Sequence, residues 1–137
     1  MTAIIDANGA VLGRLGTYTA KRLINGEEIA IVNSEKAIIS GKKTTTKETY
    51  KWKREVGTYR KGPFFPRTPE RIVKRSIRGM IPYQKPSGRA AYKRLKCYIG
   101  VPKEFEGKKF ETIKEAKKQL ADYITVEELS KYLGAKF

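Results

Sequence analysis

The spacing of apolar residues changes several times over the first forty positions, and each change predicts a new element. Ile4-Ile5, before the turn-forming stretch 6–9, predicts a short strand. Between Leu12 and Leu23 the apolar residues recur at helical spacing, and Asn25-Gly26 is typical of a helix end. Residues 28–32 contain the apolar run Ile29-Ala30-Ile31-Val32 without polar alternation, which predicts a strand buried on both faces. Such strands separated by helices indicate an α/β domain with a parallel sheet.

Less regular patterns mark the remaining scaffold. Residues 34–40 fit either a turn or a short strand, residues 44–53 fit a helix, and Tyr59 fits a third strand. Cys97-Tyr98-Ile99-Gly100 predicts a further buried strand. We therefore expect a small sheet of four strands, most of them parallel.

Two capping-box spacings predict that two helices close the chain. Thr112 precedes Glu115 by three positions, and Thr125 precedes Glu128 by the same interval. In such a box the hydroxyl oxygen accepts a hydrogen bond from a free backbone N–H of the first helical turn. Gly134 is placed to end the second of these helices.

The clearest predicted helix follows Thr68, a favourable N-cap, with Pro69 at its first position. Its two sides differ sharply. The apolar side comprises Ile72, Val73, Ser76, Ile77 and Met80. The opposite side is entirely cationic and comprises Arg71, Lys74, Arg75 and Arg78, at positions i, i+3, i+4 and i+7. A second basic helix is predicted from Ser87, with Arg89, Lys93 and Lys96 on one face.

The charge is concentrated in the middle of the chain. The 137 residues suit one domain and carry a net charge of +16. Residues 1–40 have net charge 0, residues 41–97 have +15, and residues 98–137 have +1. Seven of the fourteen aromatic residues also lie within 41–97. A solvated helix face normally mixes both signs, so this one-sided basic segment favours a polyanion, with nucleic acid first among the candidates.

Several classes of chemistry are disfavoured by composition. The chain has no histidine, which is the commonest general base near neutral pH and the commonest metal ligand. Cys97 is the only cysteine, so it forms no internal disulfide, and we expect it to be a buried structural residue. Neither a membrane-spanning run nor a signal-peptide pattern is visible, so we expect a cytoplasmic protein.

Two glycine motifs are candidate phosphate sites. Gly9, Gly13 and Gly16 lie between a strand and a helix, but their spacing departs from the dinucleotide fingerprint, and Asn33 follows the second strand where that fingerprint has an acid. Tight helix–strand packing is the alternative explanation. Gly41-Lys42-Lys43-Thr44 fails the Walker pattern because residues 36 and 43 are lysines, although its lysines remain plausible phosphate contacts.

Three stretches, residues 5–23, 32–43 and 69–98, carry a resemblance to a known family. The third contains the specific run Arg78-Gly79-Met80-Ile81-Pro82, followed by Lys93-Arg94-Leu95-Lys96. Over about residues 3–102 the chain resembles the family of universal large-subunit ribosomal protein number thirteen. Residues 52–69 resemble its archaeal and eukaryotic branch, since the bacterial branch is rich in histidine and glycine there.

The resemblance implies a single three-layer α/β/α domain spanning 1–137, with a universal core at about 3–102 and a helical extension at about 103–137. It implies a structural constituent of the large ribosomal subunit that binds large-subunit rRNA, contacts neighbouring large-subunit proteins and supports assembly. No enzyme activity, cofactor, metal, small-molecule substrate or membrane is expected. The cations expected to contact RNA are Lys42, Lys43, Arg54, Arg60, Lys61, Arg67, Arg71, Lys74, Arg75, Arg78, Lys85, Arg89, Lys93 and Lys96.

Two other functions are compatible with the residues. One is a free RNA-binding regulator, which cosedimentation with large subunits would distinguish. The other is a nucleotide-dependent enzyme acting on RNA through the glycine turn, which absence of ATP or dinucleotide binding would exclude. A membrane-surface role is disfavoured, because the basic helices lack a broad apolar face.

Overall fold

The computed structural model describes residues 2–137 and contains a parallel sheet, a small antiparallel sheet and five α-helices. The strands are β1 (Thr2–Asp6), β2 (Glu28–Val32), β3 (Ile38–Ser40), β4 (Leu95–Cys97) and β5 (Tyr123–Thr125). The helices are α1 (Leu12–Ile24), α2 (Lys43–Glu55), α3 (Pro69–Arg78), α4 (Pro86–Lys93) and α5 (Val126–Tyr132). Single 3-10 turns occupy Ser34–Lys36, Lys103–Phe105 and Lys114–Ala116.

The main sheet has three parallel strands in the order β1-β2-β4. Strands β3 and β5 form a separate antiparallel pair. The α/β class and the mostly parallel sheet are therefore confirmed, while the expected four-stranded sheet is replaced by three strands plus a pair. The connection from β2 to β4 contains α2, α3 and α4, so nearly all of the basic segment forms one crossover between two hydrogen-bonded strands.

The two faces of the parallel sheet are covered differently. On one face Ile5, Ile31 and Leu95 pack in the same cluster as the apolar residues of α1, α3 and α4. On the other face Ile4 and Val32 pack with aromatic and apolar residues from 98–110. This second covering consists of loops and one 3-10 turn, not the helical layer that a three-layer domain would have. Phe105, Tyr98 and their neighbours fill the volume that helix side chains would otherwise occupy.

The glycine cluster after β1 serves packing. Helix α1 lies against α3, and a Cβ built on Gly16 would fall 2.8 Å from the Met80 Sδ and 3.4 Å from Ile77 Cγ1. The Val11 N–H donates to the Ala116 carbonyl at 2.8 Å, so the segment around Ala116 lies against the start of α1. In a dinucleotide-binding fold the phosphates would occupy that helix start. The packing interpretation of the glycines is thus favoured.

Several predicted elements differ from the structure. Tyr59 belongs to a tight turn, because Thr58 and Gly62 form only an isolated bridge. The strand predicted at 97–100 is centred two residues earlier, in β4. Lys96 therefore lies in β4 beside Ala30 and not on the helical face with Arg89. Met80 follows the end of α3 and is 39% exposed, so it anchors the helix less than expected.

Helix capping also departs from the predicted pattern. The Thr125 side chain accepts a hydrogen bond from the Glu128 N–H at 3.2 Å, as predicted. No α-helix follows Thr112, where a single 3-10 turn begins at Lys114 without a side-chain cap. Thr68 stands at the N-cap of α3, but its buried Oγ1 accepts no bond within residues 2–137. None of the five helices in this described part has the length and apolar character needed to cross a bilayer.

The capping difference predicts unequal effects of two matched substitutions. Thr125→Ala removes the acceptor for the Glu128 N–H and should lower the free energy of unfolding by about 0.5–2 kcal/mol. Thr112→Ala removes no cap and should change it by less than about 0.5 kcal/mol. Urea denaturation of both variants provides the measurement. Equal losses at the two positions would contradict the assigned cap.

Candidate nucleic-acid interface

Helix α3 is divided into a buried side and a cationic side, as its sequence predicts. Ile72, Val73 and Ile77 are fully buried in the core beneath the sheet's helical face. The cations on the opposite side have different environments: Arg71 is exposed, whereas Lys74, Arg75 and Arg78 are half-buried. The buried side therefore fixes the direction in which these four positive charges point.

Two tyrosines lie under the cations on one flank of α3. The guanidinium of Arg78 lies 4.3 Å from the ring centroid of Tyr83, and the Lys74 ammonium lies 4.8 Å from that of Tyr92. The two rings meet edge-to-face, with centroids 5.2 Å apart. Cation–π attraction holds each charge over a ring face and offsets part of the repulsion along the helix.

A second aromatic pair lies at the other flank. Tyr50 of α2 and Phe65, before α3, meet edge-to-face with centroids 5.6 Å apart. The Lys53 ammonium lies 4.6 Å from the Tyr50 centroid and 5.4 Å from that of Phe65. The Arg75 guanidinium lies 5.8 Å from the Phe65 centroid. The aromatic residues of the basic segment thus support the cations, which places the charges in a defined array.

Carboxylates are nearly absent around the predicted contact residues. Among the fourteen, Lys43 alone has a carboxylate within 4 Å in the described part of the chain, with Glu128 at 3.3 Å. Ten of them are exposed, and Arg54, Lys74, Arg75 and Arg78 are half-buried. Outside the basic segment, by contrast, Arg22 contacts both Glu27 and Glu111 at 2.6 Å, which raises its pKa.

Arg54 and Arg67 form a second centre of positive charge. The Arg54 guanidinium donates to the Phe65 carbonyl, and desolvation and the nearby Arg67 charge lower the pKa of Arg54. Both arginines and Lys51 line a cavity of about 370 Å³ whose wall also includes Tyr132 and one carboxylate, Glu55, 3.9 Å from the Lys51 ammonium. An anion in this cavity would relieve the repulsion between the two guanidinium groups.

Other predicted contacts are dispersed. Arg60 and Lys61 lie at the tip of the 58–62 turn, while Lys85 and Arg89 lie at the start of α4. Lys42 and Lys43 line a cavity with Asp122 and Glu128 at the start of α2. Lys93 and Lys96 line a separate cavity whose wall includes Glu28 and Glu104. Two carboxylates on each of these walls weaken the attraction of an anion, whereas the Arg54–Arg67 cavity has one, Glu55. The α3 face and the Arg54–Arg67 cavity are therefore the strongest candidates.

Two further cations of the basic segment have defined partners within the chain. Lys53 was not among the predicted contacts, although its spacing from Tyr50 by one helical turn was a readable signal for a cation over an aromatic ring. Arg94, also outside the predicted contacts, donates to the Leu23 carbonyl at 2.6 Å and so holds the end of α1. Its role depends on a contact 71 positions away along the chain.

The comparisons with known proteins show which family the chain is similar to. The model of the family described as Ribosomal protein L13 matches residues 1–104. The chain is 51% identical to the large ribosomal subunit protein uL13 of Archaeoglobus fulgidus, over 96% of this chain and 86% of that protein. It is 46% identical to the proteins of the same name in Methanococcoides burtonii, covering 98% and 99% of the two chains, and in Methanosphaera stadtmanae, covering all of both.

The chain belongs to the ribosomal protein L13 family. Its sequence is of the archaeal type, as residues 52–69 indicated. The family model ends at residue 104, but the archaeal relatives extend through the rest of the chain, so the region after residue 104 is shared with them. A ribosomal protein family is a family of structural proteins, and membership confirms that this chain is not an enzyme.

The remaining candidate chemistry of this L13 chain concerns metal ligands and the Cys97 thiol. Within residues 2–137 no group of three or more His, Cys, Asp and Glu residues is placed to hold a metal ion. Cys97 is partly exposed as a residue, but burial of its thiol raises the pKa to about 12. The nearby Lys74 lowers this pKa and Glu70 raises it, both less than burial does. The thiol is therefore neutral at physiological pH.

This raised pKa predicts a slow reaction of Cys97 with thiol reagents in the folded protein. At pH 8 the thiolate population should be on the order of 1,000-fold smaller than in the unfolded chain, because each pKa unit is a factor of ten. Ellman's reagent should react at least about 100-fold more slowly in buffer than in concentrated urea. Cys97→Ala supplies the blank, and equal rates in the two solvents would contradict a buried thiol.

Proposed function

We propose that this chain is a structural constituent of the large ribosomal subunit that binds large-subunit rRNA through residues 41–97 and supports subunit assembly. Family membership supports the ribosomal role, since the archaeal relatives bear the name large ribosomal subunit protein uL13. Neighbouring large-subunit proteins are its further partners. The ribosome in the cytoplasm is its proposed location.

The observation that carries the rRNA interface is the lack of counter-charges around the basic segment. Thirteen of the fourteen predicted contact residues have no carboxylate within 4 Å in residues 2–137. Unpaired charge of one sign destabilises a free protein by self-repulsion. Phosphates neutralise it and release condensed counterions, which makes binding favourable and dependent on salt.

The α3 face is suited to position RNA. Arg71, Arg75 and Arg78 present planar guanidinium groups, which bind phosphate oxygens through two parallel hydrogen bonds. Contacts of this kind fix the position of the RNA but carry no base information. Specificity then comes from RNA shape, since the RNA helices must place phosphates on the α3 face and near Arg54 and Arg67 at the same time.

We also propose that residues 1–137 form one domain, with residues after 102 as an integral extension. Ile113, Ala116 and Val126 pack in the same hydrophobic cluster as the parallel sheet and α1. Strand β5 pairs with β3, the strand that ends directly before the basic segment. The extension therefore supports the scaffold that carries the α3 face.

Membership of the subunit predicts cosedimentation. A tagged copy of the full chain expressed in an archaeal host should sediment with large subunits in a sucrose gradient at about 0.1 M salt, and it should remain there after the subunits are separated. A free RNA-binding regulator would instead stay near the top of the gradient. The tag attached to an unrelated basic protein controls for adventitious adsorption.

Contacts of α3 with phosphates predict a change in the salt dependence of rRNA binding. The variant R71Q/K74Q/R75Q/R78Q should reduce the slope of log affinity against log salt by about 3–4, if all four cations neutralise phosphates. Filter binding of archaeal large-subunit rRNA over a range of KCl concentrations provides the measurement. Stability should stay level or rise, because repulsion on the free helix decreases.

Two matched variants isolate this effect. K109Q/K114Q/K117Q/K118Q removes the same charge from exposed lysines outside the basic segment and should leave the slope nearly unchanged. Ile77→Ala should lower the free energy of unfolding by about 2–5 kcal/mol and leave the slope of the folded fraction unchanged. Equal slopes for the wild type and the α3 variant, both folded, would show that the α3 face is only solvated.

A further inference from the structure

The turn between α2 and α3 is tightly built and carries exposed aromatic residues. The Gly62 N–H donates to the Thr58 carbonyl at 2.9 Å, and the Lys61 N–H donates to Thr58 Oγ1 at 3.1 Å. Gly57 has a φ of +88°, and a Cβ there would fall 2.1 Å from the Gly62 carbonyl oxygen. Only glycine permits this backbone approach, so the turn is held in one shape.

Two exposed aromatic side chains at this turn, Tyr59 and Phe64, line a groove. The side chain of Tyr59 is 84% exposed and that of Phe64 is 65% exposed. Both line a cavity of about 320 Å³, together with Val56, Pro63, Arg54 and Glu55. The Phe64 ring packs against Gly62, where a Cβ would lie 2.9 Å from its Cδ2 atom, so its position is defined. We call this groove the Tyr59–Phe64 slot.

The slot differs from the other aromatic pairs of the basic segment. Tyr50, Phe65, Tyr83 and Tyr92 are half-buried, and cations of the chain lie over their rings. In residues 2–137 the most exposed aromatic side chains are Tyr59, Phe64 and Trp52. Arg60 lies over one face of the Tyr59 ring, so the faces left free for stacking at the slot are the other face of Tyr59 and the exposed part of the Phe64 ring.

The charges around the slot identify its occupant. Arg60 lies with its guanidinium 5.5 Å from the Tyr59 centroid, Lys61 is its neighbour in the turn, and Arg54 lies on the wall. These cations are placed for the phosphates of a nucleotide. The Glu55 carboxylate, also on the wall, can accept a hydrogen bond from a base amino group. An apolar peptide would use the rings but leave the three cations without a partner.

We propose that the Tyr59–Phe64 slot receives one unstacked base of RNA, with its flanking phosphates on Arg54, Arg60 and Lys61. This inference rests on the proposed rRNA interface and adds a base contact to it. The occupant is an unpaired nucleotide from a loop or bulge, because a base within a duplex cannot leave its stack at low cost. Stacking of this kind tolerates any base, so Glu55 provides the preference for bases with an exocyclic amino group.

The test is footprinting of the full chain on archaeal large-subunit rRNA transcribed in vitro. Dimethyl sulfate and a carbodiimide report the pairing edges of unpaired bases, and hydroxyl radicals report the ribose backbone. At saturating protein, Y59L/F64L should restore modification of at least one base that the wild type protects, while the ribose footprint persists. Its affinity should fall by about 5- to 100-fold, the usual effect of losing aromatic–base stacking.

Control variants separate the outcomes. Tyr18→Leu removes an exposed ring from α1, outside the basic segment, and should leave both footprints and affinity unchanged. If Y59L/F64L protects the same bases with equal affinity, the slot holds no base and this proposal is overturned, although the rRNA interface stands. A protein side chain as the true occupant would give that same result on naked rRNA. If the wild type leaves no ribose footprint at all, the proposed function itself fails.

Discussion

The burial of one side of α3 is the constraint on which the rest of this molecule depends. Ile72, Val73 and Ile77 lose all contact with water against α1 and β4. A fully buried aliphatic side chain contributes roughly 1.5–3 kcal/mol, so these three residues fix the rotation of the helix about its axis. Once that rotation is fixed, Arg71 and its cationic neighbours have only one direction in which to point. The orientation of the proposed interface is therefore a consequence of the core.

The aromatic residues divide into two groups with different tasks. Those with rings half-buried beside α3 hold cations in place and so reduce the entropy that those long side chains lose on binding. Those on the 58–64 turn remain open to solvent. Composition alone shows only that aromatic and basic residues occur together in the middle of the chain. The distinction between support and contact depends on which ring faces are already covered.

The sequence predicted the elements whose side chains repeat regularly and missed those defined by distant contacts. Helices α1 and α3 and strand β2 have clear periods and well-marked ends, and they lie where expected. The strand predicted at Tyr59 is wrong. The turn found there depends on the close contact between the backbones of Gly57 and Gly62, which leaves no periodic pattern in the sequence. The box at Thr112 has the right spacing, and Ile113 and Ala116 are buried, but only the single 3-10 turn Lys114–Ala116 forms there. The second face of the sheet is covered by Phe105 and neighbouring residues in irregular segments, whose spacing in the sequence has no period that would predict this packing.

The candidate contacts on α3 could be predicted from its helical wheel. The cavity that Arg54 and Arg67 share could not, because it depends on the tertiary structure.

The position of the basic segment within the crossover from β2 to β4 also has a kinetic consequence. Strand β2 ends at Val32 and β4 begins at Leu95, so the two strands cannot form their hydrogen bonds until the whole intervening segment has closed into a loop. Loops of this length close slowly for entropic reasons, and here closure also brings residues 33–94, with a net charge of +14, into a small volume. Counterions screen that repulsion over a Debye length of about 8–10 Å, so the folding barrier of the isolated chain depends on ionic strength. A polyanion present while the chain is being synthesised lowers the same barrier by neutralising this charge. Such a ligand therefore assists folding as well as binding to the folded protein.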